Sequence, residues 1–294
     1  MLETINKMRR ELAAGDAKRD AGLTAPEDIV RRTDICYGPE KLNALDIYYP
    51  VGTDKALPTI VSIHGGAWYY GDKELYSHYC MRLAQRGFTV VNFSYRLAPE
   101  FKYPAPLEDA CAVLRWMQAN AGDYFIDLDN VFTVGDSAGA QIELQLLCML
   151  SNPEYAALFD FAPPEGFKVR AAALNCGCYF IPLSRLISPK RMGIIFDAYF
   201  PENYLPLLPQ IKAHKYVNSA FPPSIVMSAS HDYLRFMAAP MYRILKRKGL
   251  ETRLDMYGEK GQKEYCHVFH VNCYLDGAAK CNDDQCEFFR RHMK

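Results

Sequence analysis

Short, uninterrupted apolar runs recur along this chain: TIVSI at 59–63, TVVNF at 89–93 and SIVMSA at 224–229. A strand with one face in water alternates apolar and polar residues. A run that is apolar throughout suits a strand covered on both faces, as in a mostly parallel sheet. Strands are expected at Asp34–Tyr37, Ala44–Tyr49, Thr59–Ile63, Thr89–Tyr95, Val131–Val134, Ala171–Asn175, Ser224–Ser228 and Thr252–Met256. Helical spacing falls between them, at Tyr76–Arg86, Pro106–Gln118, Ala138–Leu150, Leu234–Lys248 and Ala279–His292. Such alternation implies an α/β architecture of three layers, a mostly parallel sheet of about eight strands flanked by helices. With no internal repeat and no low-complexity linker, residues 1–294 are expected to form one domain.

Two regions stand outside the rhythm. Leu2, Ile5, Met8 and Leu12 mark an amphipathic N-terminal helix within 1–32. Residues 176–221 carry Pro182, Pro189, Pro201, Pro206 and Pro209 among aromatics, and read as an insertion of short helices and loops. The helix is expected to pack on the domain or serve as a lid, and the insertion to be a lid over a site or else a long crossover.

Charge narrows the function classes. Lys and Arg together number 34, as do Asp and Glu, so nothing advertises a nucleic-acid or anionic-membrane partner. No apolar run approaches the ~18 residues of a membrane span, and charges at Glu3, Lys7, Arg9 and Arg10 interrupt any leader-like segment. A cytoplasmic location is expected, with the ten cysteines present as thiols. The run CHVFHVNC, Cys266 to Cys273, holds two Cys and two His. A structural zinc site usually gathers paired ligands from separated segments, so no metal is expected there.

The chemistry points to GDSAG at 135–139, set between the apolar strand around 131–134 and the helix from Ala138. This is the G-x-S-x-G elbow, a sharp turn that lifts a serine oxygen to the top of a sheet. Ser137 is the candidate nucleophile. The N–H of Ala138, unpaired at the start of a helix, is a candidate oxyanion donor. Upstream, His64-Gly65-Gly66 follows the strand at 59–63, and the N–H groups of Gly65 and Gly66 complete a candidate three-donor oxyanion hole. His64 is expected to brace that turn.

A serine nucleophile needs a base, and the base an orienting carboxylate. In chain order Ser, acid, His, the acid is Asp232, just past a strand end; Asp255 lies inside a strand and Asp276 follows the histidines. His267 and His270 share the loop after the next strand, and either could serve as base on position alone.

Taken together, HGGAW at 64–68, YRLAPEFKYPAPLEDA at 95–110, GDSAGA at 135–140, HDYL at 231–234 and HVF at 267–269 resemble the hormone-sensitive-lipase-type esterases of the α/β-hydrolase superfamily, from about Asp34 onward. The resemblance implies Ser137 as nucleophile, Asp232 as acid and His267 as base, with Gly65, Gly66 and Ala138 as the oxyanion hole. It also implies a lid from the N-terminal helices and the insertion. Two positions depart from the family pattern: Ala67 replaces a frequent third glycine, and Phe236 replaces the second Asp of D-x-L-x-D. Arg96, Glu100, Glu108 and Asp109 are expected in structural ion pairs.

The expected function is hydrolysis of short-chain acyl or acetyl esters of small molecules through an acyl-enzyme, without cofactor or metal. An arylformamide or small-amide hydrolase with the same triad is one alternative. A non-catalytic small-molecule-binding protein of the same fold is the other. A homodimer is left open.

Overall fold

The computed structural model describes residues 1–181 and 188–294. An eight-stranded sheet runs in the order β1-β2-β4-β3-β5-β6-β7-β8. Its strands are β1 (Ile29–Cys36), β2 (Ala44–Pro50), β3 (Leu57–Ile63), β4 (Thr89–Phe93), β5 (Ile126–Asp136), β6 (Ala171–Asn175), β7 (Ser224–Ala229) and β8 (Thr252–Tyr257). From β4 to β8 neighbours are parallel; β1–β2 and β2–β4 are antiparallel. The apolar runs form the central strands, and β4, β6 and β7 are buried at every position.

The expected strands all form, with shifts at the edges that have physical causes. β1 begins at Ile29 rather than Asp34 because it is an edge strand. Its RRTD stretch faces solvent, carries no apolar pattern, and breaks register between Arg32 and Ile35. Charge and irregularity of this kind also discourage edge-to-edge pairing. β5 extends back through the stretch DLDN to Ile126, where Ile126 and Asp127 pair with Leu57 and Pro58 of β3 before the register shifts to Thr59–Val131, a pairing set by tertiary contact.

One sheet face is covered by α2 (Ser77–Ala84) and the C-terminal helix Asp276–Arg290, around Phe88, Phe132 and Phe289. The other is covered by α3 (Ala105–Asn120), α4 (Ala138–Ser151) and Ala238–Arg247. The helix expected from Leu234 starts as a 3₁₀ turn at Arg235–Met237 before the α-helical part. α4 is buried from Ala138 to Met149, which explains a sequence that is apolar on nearly every side.

The two regions expected as lids join this frame. The N-terminal helix α1 (Leu2–Arg19) buries Ile5 and Met8. Its Arg9 donates to the carbonyls of Tyr69 and Ala98 and pairs with Glu100 at 2.7 Å. Tyr70 Oη donates to Asp16 of the same helix at 2.7 Å. In the insertion, helices form at Pro189–Tyr199 and Leu208–Ile211. The part of the expected 176–221 lid at 182–187, Pro182 included, lies outside the described residues.

Candidate active site

Parallel strands bring their carboxyl ends to one rim of the sheet, and the candidate residues gather there. β5 ends at Asp136. Ser137 then turns sharply with φ +55°, ψ −113°, and α4 begins at Ala138. A left-handed backbone is unfavourable for a residue with a Cβ and persists only where the surroundings hold it. Here Ser137 N–H donates to the Asn175 carbonyl and its own carbonyl accepts from Cys178 N–H, both at 3.0 Å. The elbow also needs Gly139, where a Cβ would run into the Ile63 carbonyl oxygen.

Three side chains form a continuous relay. Ser137 Oγ lies 2.9 Å from His267 Nε2, and His267 Nδ1 lies 2.7 Å from Asp232 Oδ1. Asp232 sits beyond the end of β7 and is fully buried, while the His267 side chain is 15% exposed. Burial works to raise the Asp232 carboxyl. The hydrogen bonds from His267, from Ser228 Oγ at 2.7 Å and from Leu234 N–H at 2.8 Å outweigh it and hold the group below the usual carboxylate range. The acid is therefore an anion, fit to hold an Nδ1–H tautomer and leave Nε2 as a proton acceptor for serine.

His270 is not brought to the serine. It is buried edge-on to Tyr79, with centroids 5.4 Å apart. Burial, reinforced by His267 and Arg19, pushes it down to about 3.

The expected oxyanion turn is more constrained than its sequence suggests. His64 stacks on Tyr95 at 4.0 Å and 8°, and its Nδ1–H donates to the Gly65 carbonyl at 2.7 Å, which braces the turn. Gly65 N–H is already committed, donating to Tyr76 Oη at 3.0 Å. Of the three expected donors, Gly65 is thus occupied within the protein, while among the described residues no hydrogen bond takes the N–H of Gly66 or Ala138. Ala67 N–H, which the sequence reading did not include, is equally uncommitted. Gly66 has φ +114°, and a Cβ there would meet the Tyr70 carbonyl.

Ala67 and Trp68 follow with φ +50° and +64°. Two consecutive left-handed residues with side chains must be held by their surroundings. Trp68 Nε1–H donates to Gln141 Oε1 at 2.9 Å, its carbonyl accepts from Ala98 N–H at 2.9 Å, and its ring stacks on Tyr199 at 4.9 Å and 6°. Gln141 in turn donates to Gln145, whose amide reaches Tyr103, Tyr155 and the Gln210 carbonyl. One buried polar network therefore runs from the turn through α4 to the insertion. Arg96 pairs with Asp109 at 2.8 Å and Glu108 at 2.6 Å, structural roles as expected.

Tyr76, Gln141 and Tyr233 escaped the sequence reading. Tyr233 lies with its ring 4.1 Å from that of His267, and its position beside Asp232 in HDYL was the available signal. Phe236, at the family's second Asp position, is exposed. For metal ligation, among the described residues Cys176, Asp232 and His267 gather with ligand atoms within 4.8 Å of one another. The Cys266–Cys273 run makes no such group among those residues. Cys266 is exposed and Cys273 Sγ turns to the Val271 carbonyl.

Comparison with known proteins gives the family. The family described as alpha/beta hydrolase fold matches residues 60–271. Versiconal hemiacetal acetate esterase of Dothistroma septosporum is 31% identical over 72% of this chain and 67% of its own length. Carboxylesterase NlhH of Mycobacterium tuberculosis is 27% identical over 71% of this chain and 67% of its own. The chain thus spans about two thirds of the length of these relatives. Among solved structures, esterase B of Lactobacillus rhamnosis, inhibited by a tributyrin phosphonate, superposes with a TM-score of 0.90 at 25% identity, covering 99% of this chain and 94% of that one.

Proposed function

Because the chain belongs to the α/β-hydrolase-fold family, we propose that it hydrolyses carboxylic esters with Ser137 as nucleophile, His267 as general base and Asp232 as orienting acid. The observation that carries this is the unbroken relay from Ser137 Oγ through both nitrogens of His267 to Asp232. His267 Nε2 takes the serine proton as Oγ attacks the acyl carbonyl. Asp232 stabilises the imidazolium that forms. The tetrahedral oxyanion falls to Ala138 N–H at the start of α4 and to the uncommitted N–H groups of the 66–67 turn. His267 then protonates the leaving alcohol, and the same base activates the water that releases the acid.

Short acyl or acetyl esters are the proposed substrates. This is supported by the relative named as an acetate esterase and by the tributyrin phosphonate bound to the similar esterase B. The complete relay argues against a non-catalytic binding protein of this fold. The proposed setting is cytoplasmic; no described helix is long and apolar enough to cross a membrane.

The test is a fluorophosphonate probe together with nitrophenyl esters of increasing acyl length, and matching anilides to cover amide hydrolysis. Labelling of Ser137 alone and a rate that falls with chain length are expected. Labelling elsewhere, or a Ser137→Ala enzyme near the normal rate, overturns the assignment.

A further inference from the structure

Cys176 directly follows β6 and adopts φ +44°, another left-handed residue with a Cβ. Its N–H is tied to the Met227 carbonyl at 2.7 Å, and its side chain is buried. The sulfur lies beside the relay: Cys176 Sγ, an Asp232 carboxylate oxygen and a His267 ring nitrogen are mutually within 4.8 Å. Ester hydrolysis as proposed above uses the acid and the imidazole and leaves the thiol without a task.

We infer that Cys176, Asp232 and His267 form an inhibitory binding site for a thiophilic divalent cation of the zinc class. Thiolate, imidazole and carboxylate are a zinc donor set, and they come from three separate segments of the chain, as zinc sites usually require. Bond lengths of about 2.0–2.3 Å set donors around a tetrahedral ion about 3.5 Å apart, so atoms now within 4.8 Å of one another must draw in by about 1.3 Å at most. One thiolate and one carboxylate balance the two positive charges, so the loaded site is neutral, as a buried site needs to be.

Binding rearranges protons in a defined way. The Cys176 thiol loses its proton to water as the Zn–S bond forms. The Nδ1–H···Oδ1 bond between His267 and Asp232 breaks, and Zn–N and Zn–O bonds replace it. A neutral imidazole that coordinates through Nδ1 must carry its proton on Nε2. Nε2 then donates toward Ser137 and can no longer accept the serine proton. One proton is released per ion, so binding tightens about tenfold per pH unit while the free thiol stays protonated.

Loss of hydrolysis on zinc binding rests on the function proposed above; binding itself does not. The experiment uses the full chain with the exposed Cys36 and Cys266 and the half-buried Cys273 changed to serine, so that Cys176 is not masked by easier thiols. Zinc buffered by a chelator is titrated while bound zinc, nitrophenyl ester turnover and fluorophosphonate labelling are followed. Expected are one zinc per chain, loss of turnover and labelling at the same midpoint, recovery with EDTA, and a midpoint about tenfold lower at pH 7.5 than at pH 6.5. Cys176→Ala should raise that midpoint about 100-fold. Unchanged sensitivity in Cys176→Ala, or stoichiometric zinc that leaves labelling intact, overturns the inference. If Cys176→Ala does not fold, cadmium added to the parent decides: a thiolate-to-metal charge-transfer band supports the site and its absence refutes it. A chain that binds zinc through Cys176 yet never labels at Ser137 would refute the hydrolase reading and leave the metal site standing.

Discussion

Gly65 N–H donates to Tyr76 Oη, and the Tyr76 hydroxyl donates in turn to Asp136 Oδ2 at 2.8 Å. The turn that carries the proposed oxyanion donors is thereby fastened to the residue just before the proposed nucleophile. All three groups are buried, so the link works in a medium where a lost partner is costly.

Tyr76→Phe tests whether Gly65 positions the turn or stabilises the oxyanion itself. Loss of the brace should lower kcat about fivefold with little change in KM, since one neutral hydrogen bond contributes roughly 1 kcal/mol. If Gly65 were a direct donor, removing the phenol oxygen would free its N–H and the rate would hold or rise. Steady-state kinetics on a short nitrophenyl ester separates these outcomes.

Gln141→Leu removes the acceptor of the Trp68 indole and leaves Gln145 short of one partner. We expect stability to fall by about 1–3 kcal/mol, the penalty for an unsatisfied buried donor. kcat should fall with it as the left-handed 67–68 turn relaxes. A double-mutant cycle with Trp68→Phe measures the coupling, and strictly additive effects would mean that the two residues act independently.

The two loop histidines should separate cleanly in a pH–rate series. A base must be neutral to accept the serine proton, so kcat/KM should fall on the acidic side with one ionisation. His267→Ala should abolish the rate, and that limb with it. His270→Phe should keep the limb and change the rate only modestly, and Asp232→Asn should lower kcat by several orders of magnitude through the wrong tautomer. A dead His270→Phe enzyme that remains folded by circular dichroism would point to the other histidine.

His270 also has a signature in stability. An unfolded histidine titrates near 6.5, whereas burial holds this one down to about 3. Below pH 6.5 the unfolded chain takes up a proton that the folded chain refuses. Stability is therefore fully present above about pH 6.5 and lost toward pH 3, at up to about 1.4 kcal/mol per pH unit. Asp136 works in the opposite sense, because burial pushes its carboxyl up to about 7 and its contribution declines as pH rises from about 4 to 7. Denaturant melts of His270→Phe between pH 6.5 and 4 should show a shallower loss of stability on acidification than wild type. An unchanged slope would mean that His270 is charged in the folded state.

The elbow, the HGG turn and Asp232 stood out in the sequence because each follows a short apolar strand, and strand ends of a parallel sheet converge on one rim whatever the loops do. Local chemistry marked them as well: glycines where backbone must approach backbone, and a serine at the start of an apolar helix. The charged edge strand β1 and the polar start of β5 were misplaced because their pairing is imposed by neighbours distant in sequence. Position along the chain left His267 and His270, three residues apart in one loop, both open as base, and the family resemblance alone favoured His267; the tertiary structure turns that ring to Ser137 and buries the other against Tyr79. It alone gave Gly65 N–H to Tyr76, Trp68 to Gln141 and the Cys176 sulfur to the side of Asp232. The Trp68–Gln141 bond joins residues 73 positions apart, and a hydrogen-bond partner at that separation has no period, spacing or propensity by which a sequence could announce it.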